Sequence, residues 1–157
     1  MKVAWRIVYL AIFALMVFGQ AAELRAQQPA TEEGRSRFRT IDIFIDSRST
    51  PLAAYQVEFE ATNGVVKIVG IEGGEPEAFR HPPVYDPKAI QRDRVIIASF
   101  STATASTLPR GKTRVATIHI QVSGDQEPKF EIKLQTAGDS QGHKISAQAT
   151  FEERKAP

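Results

Sequence analysis

The sequence predicts an all-β fold, built as an antiparallel β-sandwich. Three observations carry this. Seven stretches read as strands, most of them alternating apolar and polar residues, the period of a strand with one buried face. Clusters of Gly, Pro, Asn, Asp and Ser separate them, the residues that turns require. Beyond residue 26 no stretch carries a helical apolar stripe of useful length. Half-buried strands need a second sheet to cover their apolar faces, and two antiparallel sheets packed face to face are the economical solution.

The chain has 157 residues, a length that suggests one domain, and its first 26 are set apart from that domain. Lys2 and Arg6 precede the apolar run IVYLAIFALMVF, and Gly19, Ala21, Ala22 and Ala26 follow it. This is the pattern of a signal peptide, and the run is short for a membrane span. Cleavage after Ala21 or after Ala26 fits the small-residue rule. An uncleaved signal anchor is the alternative and the one route to a membrane. The expected location is therefore secreted, periplasmic or cell-envelope. Residues 27–36 read as a polar flexible leader, 37–153 as the sandwich and 154–157 as a tail. The basic cluster GRSRFRT reads as a solvated lead-in to the first strand.

In IDIFID, Ile41, Ile43 and Ile45 share one face, and Asp42, Phe44 and Asp46 the other. SRSTP is a turn. In LAAYQVEFE, Tyr55, Val57 and Phe59 oppose Gln56, Glu58 and Glu60. Asn63-Gly64 then predicts a hairpin into VVKIVGIE, because both residues tolerate positive φ. RVIIASF is apolar on both faces and is expected to be a central strand. After the polar loop STATASTLPRGK, TRVATIHIQV puts Ile118, Ile120 and Val122 inward and Thr117, His119 and Gln121 outward. KFEIKLQT alternates Phe130, Ile132 and Leu134 with Glu131, Lys133 and Gln135. KISAQATF, residues 144–151, closes the series with Ile145, Ala147, Ala149 and Phe151 on one side.

Between the third and fourth strands runs EGGEPEAFRHPPVYDPKAI, residues 72–90. The two Gly permit a sharp reversal. His81-Pro82-Pro83 is forced extended or into a turn, with either X-Pro bond open to the cis isomer, and Asp86-Pro87 begins another turn. Phe79, Val84 and Tyr85 are expected to plug the open end of the core. The preferred reading is a structural crossover, with a binding loop as the alternative.

Charge and chemistry narrow the function. The whole chain carries 20 Lys+Arg and 18 Asp+Glu, and without residues 1–26 it carries 17 of each. A neutral domain gives no electrostatic reason to expect nucleic acid. There is no cysteine, which excludes thiol catalysis and thiolate metal sites. The three His are His81, His119 and His143, and no metalloprotease, serine-hydrolase or phosphate-loop motif accompanies them. Glu72, Glu75, Glu77 and Asp86 lack the context of a glycosidase carboxylate pair. Glu75, Glu77, His81, Tyr85 and Asp86 match no defined metal-ligand spacing. No catalytic residue, cofactor or metal is predicted. Sugar stacking wants exposed planar aromatics, but Trp5 lies in the signal-like segment and only Tyr55, Tyr85 and Phe44 remain as candidates. A stiff polar strand face is a better binding platform, since presenting it costs little entropy. The candidate surface is Gln56, Glu58, His119 and Gln121, with Phe79, His81 and Tyr85 from the crossover.

LAAYQVEFEATNGVVKIVGIEGGE resembles the centre of a cohesin module, where a strand of this kind meets a tight turn and a second apolar strand. RVIIASF and GKTRVATIHIQV resemble the next two landmarks, and residues 139–145 fit the turn before the last strand. The resemblance spans roughly residues 40–151. Residues 79–88 form a distinctive insertion in that pattern. The resemblance implies a jelly-roll sandwich of immunoglobulin-like architecture, related to some carbohydrate-binding modules. It also implies a dockerin partner, a small Ca²⁺-loaded module attached to polysaccharide-degrading enzymes or surface proteins. The expected function is an exported, non-catalytic module for protein–protein assembly, with a dockerin-like partner in polysaccharide processing. A carbohydrate-binding sandwich of the envelope is the alternative, and a small structural envelope protein a third reading.

Overall fold

The structure, a computed structural model, describes residues 35–154. The signal-like segment with Trp5, the leader through residue 34 and the tail beyond Arg154 lie outside the described residues. Eight strands run in order: β1 (Arg37–Asp46), β2 (Ala54–Asn63), β3 (Val65–Gly73), β4 (Val84–Tyr85), β5 (Arg94–Phe100), β6 (Lys112–Ser123), β7 (Lys129–Gly138) and β8 (Gln148–Arg154). They form two four-stranded sheets, β3-β6-β1-β8 and β4-β5-β2-β7, and every pairing is antiparallel.

The period-two pattern builds the core directly. Ile41, Ile43 and Ile45 of β1, Tyr55, Val57 and Phe59 of β2, and Ile118, Ile120 and Val122 of β6 all point inward and are buried. Each fully buried Ile or Phe contributes about 1.5–3 kcal/mol relative to exposure. Phe59, Phe130 and Phe151 tie the two sheets together, with ring centroids 5.3–6.0 Å apart.

Several expectations need correction. Asn63-Gly64 does not make a hairpin, because β2 and β3 belong to different sheets. Gly64 sits at φ 80° with its N–H donated to Asn63 Oδ1 at 2.8 Å. Positive φ marks a sharp turn, and here the turn carries the chain from one sheet to the other. β5 lies inside its sheet, yet β4 covers it only at Ala98 and Ile97. Most of its second edge is therefore open. The crossover contributes the additional strand β4, and the last strand begins at Gln148 rather than Lys144 because Asp139 organises a turn first. Its Oδ1 accepts the backbone N–H groups of Gln141 and His143, each at 2.9 Å. The lead-in is not simply solvated: Arg39 is only 14% exposed at its side chain and is hydrogen-bonded to Glu127 and Glu153.

The crossover from β3 to β5 is tightly built. A Cβ on Gly73 would lie 2.0 Å from the Arg80 carbonyl oxygen, and one on Gly74 would lie 2.4 Å from that of Arg114. Neither Gly has positive φ, so close backbone approach rather than turn conformation requires them. Phe79 is buried against Tyr55, edge to face at 5.2 Å, as a plug should be. Val84 is not part of the plug and is 73% exposed. No cis peptide occurs among the described residues, so the bonds preceding Pro82 and Pro83 are trans. A strap then joins the sheets. Ile68 N–H donates to Arg92 O at 2.7 Å, Gln91 N–H to Ile68 O at 2.8 Å, and Ala61 N–H to Asp93 O at 2.9 Å.

Candidate binding face

The outer face of the β4-β5-β2-β7 sheet combines a polar network with an apolar strip. Alternation along β2 turns Gln56, Glu58 and Glu60 outward. The ladder sets Glu58 opposite Ile96 on β5 and opposite Lys133 on β7. Arg94 Nε donates to Glu58 Oε1 at 2.6 Å and Gln135 Nε2 to Glu58 Oε2 at 2.6 Å. Arg94 also lies 3.9 Å from Glu60. The Arg94 hydrogen bond is the main cause holding the Glu58 carboxyl below the usual glutamate range, and the same bond raises Arg94. Both oxygens of Glu58 are thereby fixed.

Beside this network, the outward positions of β5 are Ile96, Ala98 and Phe100. Val84 of β4 stands opposite Ala98. Val84 and Phe100 are 73% and 74% exposed, and Ile96 is 37% exposed. A shallow groove is lined by Val84, Ile96 and Ala98 of this strip together with Tyr85, Lys88 and Arg92. Desolvating an apolar row next to fixed, directional polar groups is how interface cores gain both affinity and register.

The predicted site residues are not one surface. Gln56 and Glu58 lie on this face. His119 and Gln121 lie on β6, on the outer face of the opposite sheet. There many polar groups are occupied by one another, while Phe38 and Val65 stand exposed at one end of the face. Thr117 points outward yet is fully buried, covered by Arg114 Nη1 at 2.9 Å and bonded to Asp42 Oδ1 at 2.8 Å. Arg154 Nη2 holds the same Asp42 oxygen at 2.7 Å. His119 Nδ1 lies 3.4 Å from Thr40 Oγ1, and its Nε2 lies 3.1 Å from Glu72. Gln121 Nε2 donates to Ser36 Oγ at 3.1 Å. Phe79 is inside the core, where no partner reaches it. His81 is exposed on the crossover, and Tyr85 packs partly against the core at the groove. The sequence reading missed Arg94, Gln135 and the exposure of Val84, Ile96 and Phe100. Its available signal was RVIIASF, apolar on both faces with a face left over.

Among solved structures, the CaDoc0917–CaCohA2 complex aligns with a TM-score of 0.54 at 9% identity, covering 72% of this chain and 83% of that one. The chain has the cohesin fold. A non-cellulosomal cohesin from the hyperthermophilic archaeon Archaeoglobus fulgidus aligns at 0.50 and 9% identity over 73% of this chain and 75% of its own. The type I cohesin–dockerin complex Coh-OlpA–Doc918 from Clostridium thermocellum aligns at 0.51 and 14% identity over 72% and 82%. No family model matches the sequence, and no curated protein does. The cohesin sandwich is thus shared at the level of backbone.

Proposed function

We propose that this protein is a non-catalytic binding module that receives a protein partner on the outer face of its β4-β5-β2-β7 sheet. The observation that carries the reading is the strip of Val84, Ile96 and Phe100, exposed beside the fixed Arg94–Glu58–Gln135 network. Partly exposed apolar rows of this kind mark interaction sites. The cohesin fold, and the two neighbours named as dockerin complexes, support a dockerin-like partner bearing Ca²⁺ loops. The signal-like N-terminus supports export, with assembly of envelope or secreted polysaccharide-processing factors as the setting.

The test is capture. The chain, expressed in full and purified as recovered, serves as bait for envelope and secreted fractions, with and without Ca²⁺, read by mass spectrometry. The expected result is Ca²⁺-dependent recovery of a protein with paired D-x-[DN]-x-[DN]-G loops. Recovery of nothing above background by a folded bait overturns the reading.

A further inference from the structure

The two flanks of the sandwich are finished differently. On one, the strap through residues 91–93 joins β3 to the opposite sheet. On the other, β7 and β8 end the two sheets, and Phe130, Ile132, Leu134 and Phe151 are only partly buried. β7 bonds to β2 along one edge. Along its other edge, the described residues place only the Ile145 N–H bond to Ala137 O and the Gly138–Lys144 bridge, both at its C-terminal end. Residues 129–135 therefore present a row of backbone donors and acceptors with no strand beside them, a template for another strand.

The side chains of that edge select which strand. Outward positions read Lys129, Glu131, Lys133 and Gln135. Glu131 faces Glu60 across the β2 ladder, so its nearest cross-strand neighbour is another acid, an unfavourable pairing. Among the described residues neither Glu131 nor Lys133 makes an ion pair. Antiparallel pairing with a second copy about a two-fold axis at Ile132 sets Glu131 opposite Lys133 twice and Phe130 opposite Leu134 twice. Sliding by two residues sets Glu131 against Glu131, or Lys133 against Lys133. Sliding by one turns inward residues onto outward ones. The regular overlap covers residues 130–134, about 17 Å of strand; the β2 ladder skips Gln135 as an extra residue, and beyond it the edge is already bonded at Ala137.

We propose that β7 is a homodimer edge, pairing antiparallel with β7 of a second copy in this register. The product is one continuous eight-stranded sheet with two-fold symmetry. Its outer surface carries both copies of the Val84–Ile96–Phe100 strip on the same side. The pairing itself does not depend on what binds that strip.

Sedimentation equilibrium of the full chain, as recovered, over a wide concentration range reads the association. Glu131→Lys removes the Glu60–Glu131 opposition within one chain and places Lys opposite Lys between chains. It is expected to keep or raise the melting temperature and to weaken the dimer about tenfold. Combining it with Lys133→Glu restores opposite charges between chains and is expected to restore the dimer; because it also sets an acid opposite Glu58 within the chain, its melting temperature is recorded alongside to show that the chain stays folded. A monomer at every concentration overturns the proposal. So does a dimer that Glu131→Lys leaves intact, or one that the charge swap fails to rescue.

Discussion

The two outer faces of this sandwich use similar residues for different ends. On the β3-β6-β1-β8 face, polar side chains close on one another: Asp42 is held by Thr117 and Arg154, and His119 sits between Thr40 and Glu72. On the β4-β5-β2-β7 face, Glu58 is likewise fixed by Arg94 and Gln135, but the adjacent row of Val84, Ile96 and Phe100 is left to solvent. The first face gathers its polar groups around Asp42 and, of its large apolar side chains, leaves only Phe38 and Val65 exposed, at one end of the sheet; we read it as structure. The second spends no stability on its apolar row and reads as a surface awaiting a partner. Alternation alone distinguishes inside from outside. The difference between the two outsides lies in which groups find partners across strands.

Substitutions sharpen this contrast, beginning with what lies beneath the second face. Phe79→Ala empties a buried position against Tyr55 and should cost about 3–5 kcal/mol, read as a lower urea midpoint. Val84→Ser, five residues on in the same crossover, should leave that midpoint nearly unchanged. Equal losses would erase the distinction between plug and strip. On the first face, Asp42→Ala leaves Arg154 and buried Thr117 without their acceptor and should cost about 1–3 kcal/mol. On the second, Ile96→Ser should stay within about 0.5 kcal/mol of the parent.

Acid should separate the faces as well. Glu58 is lowered chiefly by Arg94, Glu127 chiefly by Arg39, and Asp139 chiefly by the His143 backbone N–H. A carboxylate with a depressed folded pKa contributes its full stability above the unfolded value, about 4. That contribution is lost as the pH falls through the folded value. Melting temperature should therefore drop below about pH 4, with a shallower slope in Glu58→Gln. An identical slope in that variant would mean the Arg94 contact contributes nothing. A small effect of opposite sign is expected at Gln91, at φ 71° in the strap. Gln91→Gly should be neutral or stabilise by under about 1 kcal/mol, as strain relief offsets the entropy Gly adds to the unfolded chain.

Much of the core was legible in the sequence because a strand's period is a local property. Ile41, Ile43 and Ile45, or Tyr55, Val57 and Phe59, declare their face without reference to anything distant. Sheet membership is not local. Asn63-Gly64 announces a reversal, but only the pairing of β2 with β5 and β7, and of β3 with β6, shows that the chain changes sheets there. The same ignorance placed Gln56 and Glu58 together with His119 and Gln121, which the topology separates onto opposite faces. Thr117 was assigned outward correctly, and its burial comes from Arg114 folding over it, which no pattern of apolar residues encodes. The exposed strip was half legible: RVIIASF shows two apolar faces, and only the tertiary structure shows that the outer one stays exposed at Ile96 and Phe100.

The most direct measurement is binding of the captured partner by paired variants of each face, with melting temperature recorded alongside. One pair carries Ile96→Asp or Phe100→Asp, and the other carries His119→Ala or Gln121→Ala. We expect the first pair to lose the partner while melting as the parent does, and the second pair to bind unchanged. Binding that survives in the first pair, or fails in the second, would contradict the assignment of the β4-β5-β2-β7 face as the site of recognition.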